Sequence, residues 1–206
     1  MKIFYITIIV SFLFCFNSCK DNSISESDKK EFYPLSVGNY WRYQGISFDS
    51  VGTVLSDSTY WLEQVIGDTT LKGERCYFLK QSGSPDSWFT APYRNSSEGL
   101  IMQMDTTFTK FPLIYKYPVI INEMFSDSVK VIAVDEIIST IVGNMKCIVY
   151  QNYYSAHVTS LPPGWICMKT YVVPGFGKIG MDGFYTSDKI KLRKVAEYRI
   201  IDYKIN

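Results

Sequence analysis

The chain has one histidine, His157, in 206 residues. A lone imidazole cannot build a zinc cage without cysteine or carboxylate help. His157 stands in Tyr154-Ser155-Ala156-His157-Val158-Thr159, just ahead of Pro162-Pro163-Gly164, where a surface loop is expected. A Ser-His-Asp triad would need a nucleophile elbow of the G-x-S-x-G kind, and the sequence has none. Acid pairs are as scarce. Asp135 and Glu136 are adjacent, but neighbours on a strand point to opposite faces and do not share a site. The alternating Asp/Asn of a calcium loop is missing. Gly175-Phe176-Gly177-Lys178 lacks both the spacing and the following Ser/Thr of a phosphate loop, so it reads as a loop or bulge before the last strands. No catalytic residue, cofactor or metal ligand is predicted, and a non-enzymatic protein is expected.

Net charge is also nearly absent, at +1. Lys2 is the only charge in residues 1–18, so the chain beyond them is formally neutral. That argues against nucleic acid as a partner, which needs a basic face, and against a purely electrostatic hold on a membrane. No apolar run reaches the ~20 residues of a membrane-spanning helix. The one from Ile3 to Phe16 is shorter and follows the positive Lys2, which is the layout of an export signal. It ends in Phe16-Asn17-Ser18-Cys19. A small residue before a cysteine at this place resembles the lipobox of bacterial lipoproteins, which implies cleavage before Cys19 and acylation of Cys19. An ordinary cleaved signal with an incidental cysteine is the alternative. The loose box and the Lys20-Asp21 after it are similar to lipoproteins of the Bacteroidetes group. Residues 1–18 are therefore expected to be a signal peptide, and 19–31 a lipidated cysteine and flexible tether. The tether is polar apart from Ile24 and too poor in apolar surface to fold. The expected location is the cell envelope, on the outer membrane, with the lipid as the contact to the bilayer.

From Phe32 to Asn206 a single domain is expected. Aromatic residues make up 16% of the chain, and their bulk suits a pleated surface. Short apolar runs alternate with Gly, Pro, Asn, Asp and Ser, which argues for an antiparallel all-β fold with little helix. Strands are expected around 39–47, 58–66, 74–82, 87–94, 99–104, 127–135, 137–142, 145–154, 165–173 and 192–203. Gly67-Asp68, Gly83-Ser84 and Gly143-Asn144 are expected turns. Asp105–Tyr117 has room for one helical turn at most, because Pro112 and Pro118 frame its end.

One segment has an echo. Tyr33-Pro34-Leu35-Ser36-Val37-Gly38-Asn39-Tyr40-Trp41 aligns with Tyr117-Pro118-Val119-Ile120-Ile121-Asn122-Glu123-Met124-Phe125. Gly38 and Asn122 are the residue types most tolerant of a left-handed backbone. Each copy precedes a strand that begins with Gly and soon reaches Cys: Gly73-x-x-Cys76 and Gly143-x-x-x-Cys147. Two similar turns met by chance would explain this, and so would a sheet of two pseudo-repeated halves. With Pro174-Gly175-Phe176-Gly177-Lys178-Ile179-Gly180, these segments resemble a group of uncharacterised envelope proteins similar to the DUF3108 and TapB-like families. The resemblance implies a large curved antiparallel sheet, half-barrel-like, related in shape to the lipoprotein carriers LolA and LolB. The pattern prefers Gly at Ile121-Asn122, where this chain departs from it.

The function expected is binding or carrying an apolar or protein ligand. The rival is a structural accessory subunit of an outer-membrane complex, and a glycan-active enzyme is the least favoured. Trp41, Trp61, Trp88 and Trp165 fit core packing best. Trp88 and Trp165 adjoin Pro, Gly and Ser, and so form the exposed pair of a stacking surface if there is one. Asp105–Tyr117 is expected to cover an apolar groove, with Phe108, Phe111 and Tyr115 as ligand-facing aromatics. Alternation from Leu192 to Tyr203 puts Leu192, Lys194, Ala196, Tyr198, Ile200 and Asp202 on one face, and this face is the core side. Cys76, Cys147 and Cys167 follow the tether; buried free thiols or one inter-strand disulfide are both open.

Overall fold

The computed structural model describes residues 31–84, 87–103, 112–126, 128–156 and 163–206. Residues 1–30, Cys19 among them, and Phe108, Phe111 and His157 lie outside the described residues. Residues Glu31–Asn206 form one compact unit. Its eleven strands are β1 (Tyr40–Phe48), β2 (Val54–Leu71), β3 (Glu74–Ser84), β4 (Ser87–Ser96), β5 (Gly99–Met102), β6 (Leu113–Lys116), β7 (Val129–Thr140), β8 (Gly143–Ala156), β9 (Gly164–Val173), β10 (Gly177–Thr186) and β11 (Arg193–Lys204). They make one antiparallel sheet in the order β6-β5-β4-β3-β2-β1-β11-β10-β9-β8-β7, curled into a half-barrel. Two meanders, β1–β6 and β7–β11, thus join where β1 pairs with β11.

The repeated sequence segments form the same structure. Gly38 and Asn122 both have left-handed backbones, with φ of 92° and 68°. Gly38 N–H donates to Val65 C=O, and Val65 N–H donates back to Asn39 C=O. Asn122 N–H donates to Val131 C=O, and Val131 N–H donates back to Glu123 C=O. Val65 and Val131 are both fully buried. Each lead-in therefore clips onto the long first strand of a long hairpin, β2–β3 or β7–β8. The two lead-ins also meet, with the rings of Phe32 and Tyr117 stacked at 4.9 Å. A sheet of two pseudo-repeated halves accounts for both patterns.

Bulges bend the sheet and decide which side chains face inward. Directly paired residues share a face, so a register shift moves the following residues to the other side. The expected alternation in β11 holds from Ala196 to Ile200: Ile200 is fully buried and Tyr198 packs on the core. It fails at both ends. Arg42 pairs with Asp202 but Tyr43 pairs with Ile200, so Ile201 is bulged and Asp202 turns outward to Arg42. Gly183 pairs with Ala196 but Phe184 pairs with Lys194, which bulges Val195 and turns Lys194 outward to Asp182. Gly45 of β1 lies under the ring of Tyr198; a Cβ there would fall 2.8 Å from ring carbon Cδ1, so the close approach needs glycine.

Several sequence expectations are corrected. Gly177–Thr186 is a strand near the middle of the sheet, nearly all of it buried, and not a loop. Gly180 and Gly183 face Tyr198 and Arg199 on one side and Ala196 and Met168 on the other, and their lack of side chains lets β11 and β9 close on β10. The segments 127–135 and 137–142 are one strand, β7, bulged near Ala133. Gly67 lies inside β2 opposite Phe78, and the turn falls at Lys72-Gly73. Leu113–Lys116, given to a turn or cover, is the edge strand β6.

Cys76, Cys147 and Cys167 are free and buried. Burial raises the Cys76 thiol and pushes that of Cys147 up to about 12, so neither is a thiolate near neutrality. The folded domain is expected to resist a thiol reagent and the unfolded one to expose three thiols. One reactive thiol in denaturant would show a disulfide instead.

Candidate functional site

Among the described residues, two buried clusters and a cavity are places where chemistry could reside. The first cluster centres on Glu63 of β2, which is 1% exposed. Trp61, Glu63 and Val65 share the inner face by strand alternation. Glu63 Oε1 accepts from Gln81 Nε2 at 2.9 Å and Trp61 Nε1 at 3.3 Å, and is paired with Lys178 Nζ. Its Oε2 accepts from Tyr33 OH at 3.0 Å and Tyr43 OH at 3.3 Å. Both carboxylate oxygens are thus taken by protein donors. Lys178 is drawn in by the register shift between Lys178 and Gly180, and its ammonium also lies 5.2 Å from the Tyr43 ring and 5.6 Å from the Trp61 ring. Burial, then the charge of Glu63, holds the Tyr33 and Tyr43 hydroxyls well above the usual phenol range. They are neutral donors, and the cluster is closed.

The second cluster lies on the other face. Asp182 Oδ1 accepts from Arg199 at 2.7 Å, and its Oδ2 accepts from Tyr171 OH at 2.9 Å and pairs with Lys194 at 3.3 Å. It binds β9, β10 and β11 together, and again leaves no carboxylate oxygen without a partner.

The cavity differs from both because it is open space. It measures about 540 Å³ and sits where the two edges of the curled sheet approach each other. Leu113, Ile114 and Tyr115 of β6 form one wall. Val129 of β7, Tyr150, Asn152 and Tyr154 of β8, Ile166, Met168 and Thr170 of β9, and Met181 of β10 form the other. The edges are clasped above it: Tyr150 OH donates to Lys116 C=O at 2.5 Å, and the Tyr115 and Tyr150 rings lie 5.1 Å apart. An ion pair between Lys116 and Glu123 ties β6 to the second lead-in. Among the described residues, none that lines the cavity is Asp, Glu, Lys, Arg or His. Ile166, Met168 and Thr170 are spaced by two on β9, which gives that wall its inner face.

Of the residues singled out from sequence, Tyr115 lines this cavity. Trp165 does not; it lies on the alternate face of β9, with Lys189 Nζ 3.6 Å from the centre of its ring. Trp88 belongs to β4, and its side chain is outside the described part. Trp41 is wholly buried, with its indole N–H donating to Phe176 C=O at 2.8 Å. Sequence reasoning missed Glu63, Lys178, Asn152 and the methionines. A signal existed for Glu63, since a charge between two apolar residues on the same strand face, Trp61 and Val65, marks a buried ion.

No family model matches the chain, and no curated protein does. Two solved structures share its fold. One is described as a candidate exported protein with a YmcC-like fold from Bacteroides fragilis, with a TM-score of 0.59 and 11% identity, matched over 85% of this chain and 99% of that one. The other is a candidate lipoprotein from Parabacteroides distasonis, with a TM-score of 0.57 and 13% identity, matched over 86% of this chain and 100% of that one. At such identities the likeness shows the fold alone. The narrower likeness to the DUF3108 and TapB-like families finds no support in a family model.

Proposed function

We propose that this chain is a lipid-anchored protein of the bacterial cell envelope that holds or carries an apolar ligand and catalyses no reaction. The observation that carries the ligand reading is the cavity at the seam of the sheet. Ligand sites of ~300–1,000 Å³ with apolar walls and a few polar groups are the common form, and this one has that size and lining. The curled sheet supports the narrower likeness to LolA- and LolB-type carriers in shape. The non-enzymatic reading is supported by Glu63 and Asp182, whose oxygens are all engaged by protein donors.

The anchor reading rests on Lys2, the apolar run Ile3–Phe16, Cys19 and the polar segment after it. It is supported by the fold shared with two proteins described as exported or as a lipoprotein, from the same bacterial group that the leader resembles. The outer membrane is the membrane proposed. Acyl chains contribute ~0.8 kcal/mol per buried CH₂, and among the described residues no helix is long and apolar enough to cross a membrane. Cys19→Ala is therefore expected to move the protein from the membrane to the soluble fraction. A mutant that still sediments with membranes overturns the anchor. Mass spectrometry of the native protein with whatever copurifies tests the ligand.

The accessory-subunit reading has one observation in its favour. Ile120, Ile121 and Met124 are 72%, 51% and 59% exposed on the second lead-in, a concentration that suits a protein partner. A stoichiometric envelope protein in a pull-down, with no copurifying lipid, would put that reading first.

A further inference from the structure

The second lead-in leaves its tip in water. Ile120, Ile121 and Met124 are 72%, 51% and 59% exposed, and Tyr117 at its base is 39% exposed. Large apolar side chains so close together form a patch, where scattered ones would be ordinary. The tip is built to hold them outward. Glu123 N–H donates to Ile120 C=O at 3.1 Å, Asn122 N–H donates to Val131 C=O at 2.8 Å, and Ile120 N–H donates to the Glu123 carboxylate at 3.3 Å. Glu123 is the one charged residue from Tyr117 to Ser126, and Lys116 pairs with it. A segment that leaves water must satisfy its backbone and cancel its charge. These contacts meet that demand at the three donors named and at the one carboxylate.

The place of the patch in the chain says what covers it. The tether ends at Phe32, whose ring stacks on Tyr117 at 4.9 Å and whose C=O accepts from Gly175 N–H at 2.9 Å. Asn95 holds the next residue, Tyr33, through both its N–H and its C=O. The chain therefore enters the domain at a fixed point, against the base of the second lead-in. Residues 20–31 separate that point from Cys19, and a segment of that length spans ~40 Å at most. A lipid on Cys19 keeps a bilayer within reach of the patch, at high effective concentration. That standing proximity favours the bilayer over a protein partner as the cover.

The lead-in is also the link between the two walls of the cavity. Tyr115 lies just before it and Val129 just after it. The Lys116–Glu123 pair ties it to β6, and the Asn122–Val131 hydrogen bond ties it to β7. A bilayer at the tip therefore lies close to both edges of the seam.

We infer that the tip of the second lead-in, with Ile120, Ile121 and Met124, is a lipid-docking surface that enters the interfacial layer of the membrane carrying the anchor. This rests on the anchor reading given above and deepens it. The tether brings the bilayer, and the tip fixes which side of the domain faces it.

The test uses the acylated protein in vesicles of phosphatidylethanolamine and phosphatidylglycerol. Cys76, Cys147 and Cys167 are buried, so a thiol-reactive, polarity-sensitive dye goes to one introduced thiol. That is Ile121→Cys at the tip, or Val51→Cys as control. Val51 is 82% exposed, in the turn after β1 and so at the end of β1 away from the first lead-in. With a spin label on the lipid acyl chains, the dye at position 121 is expected to shift to the blue and be quenched. The dye at position 51 should do neither. Adding Ile120→Asp to Ile121→Cys should lower the ratio of docked to free tip by about tenfold or more, the factor for withdrawing one isoleucine from apolar surroundings. A water-like, unquenched dye at position 121, on protein that sediments with the vesicles, overturns the inference and leaves the anchor in place. Equal quenching at both positions overturns it too, as does quenching at position 121 that survives Ile120→Asp. A dye at position 121 that is shielded in native membranes but not in protein-free vesicles gives the patch to a protein partner instead. Protein that does not sediment with vesicles at all removes the anchor reading, and the inference with it.

Discussion

Lys178→Met is expected to lower the unfolding free energy of the domain by about 3–5 kcal/mol, the usual cost of leaving a buried charge without its partner. The side chain of Lys178 is 10% exposed and that of Glu63 is 1% exposed, so water cannot replace the lost ammonium. Gln81 and Trp61 remain on Oε1, and Tyr33 and Tyr43 on Oε2, but all four are neutral. Methionine keeps the length and apolar stem of lysine, which separates the charge effect from a packing effect. The double variant Glu63→Gln/Lys178→Met should recover part of the loss, because an amide can serve the same neighbours without a buried charge. Urea unfolding followed by tryptophan fluorescence measures both, and a loss of this size moves the midpoint by about 1–3 M. A single variant within about 1 kcal/mol of the wild type would mean that the pair is hydrated or absent in solution. The pair has a structural use that a neutral core would lack. β2 and β10 are three places apart in the sheet, and the Glu63–Lys178 contact spans the interior between them. It thereby ties these two strands to each other.

How much of this was legible in the sequence depends on whether a feature was local. The strand pairs of the long hairpins were, but not their turns: the turn expected at Gly67-Asp68 falls at Lys72-Gly73, and Gly143-Asn144, expected as a turn, opens β8 after a turn at 141–142. The repeated lead-in was also legible, down to the left-handed positions Gly38 and Asn122. β10 was hidden by its own adaptation. Gly177, Gly180 and Gly183 look like a loop in sequence, yet in a crowded central strand they are the residues that let neighbouring side chains approach. The bulges at Val195 and Ile201 were hidden too, since a register shift belongs to a strand pair and not to one strand. The same limit applies to the site. Asn152, Met168 and Met181 come from three strands, and Leu113 and Tyr115 from the opposite edge of the sheet. Only the curl brings them together, and no spacing along the chain encodes it.

The second large effect is expected in alkali. Tyr33, Tyr43 and Tyr93 are 1%, 1% and 5% exposed. Burial first, and the charge of Glu63 second, raises the ionisation of all three far beyond the ordinary range. Above pH ~10 the unfolded chain releases these protons and the folded domain keeps them. The folded state then binds more protons, so stability falls as pH rises. The full contribution is present below pH ~10 and is lost as the pH climbs toward the folded-state values. Each tyrosine takes away up to about 1.4 kcal/mol per pH unit, and three together about 4. A domain stable by ~5–15 kcal/mol is exhausted within a few units. The domain should therefore unfold cooperatively on the alkaline side, with a step in tyrosinate absorbance that coincides with loss of the β-sheet circular dichroism. The core tyrosines ionise in this account only because the fold has gone. Gradual ionisation of every tyrosine while the sheet signal stays intact would show that the Glu63 cluster is open to solvent. Its closed geometry, and with it the placing of ligand chemistry in the seam cavity alone, would then have to be abandoned.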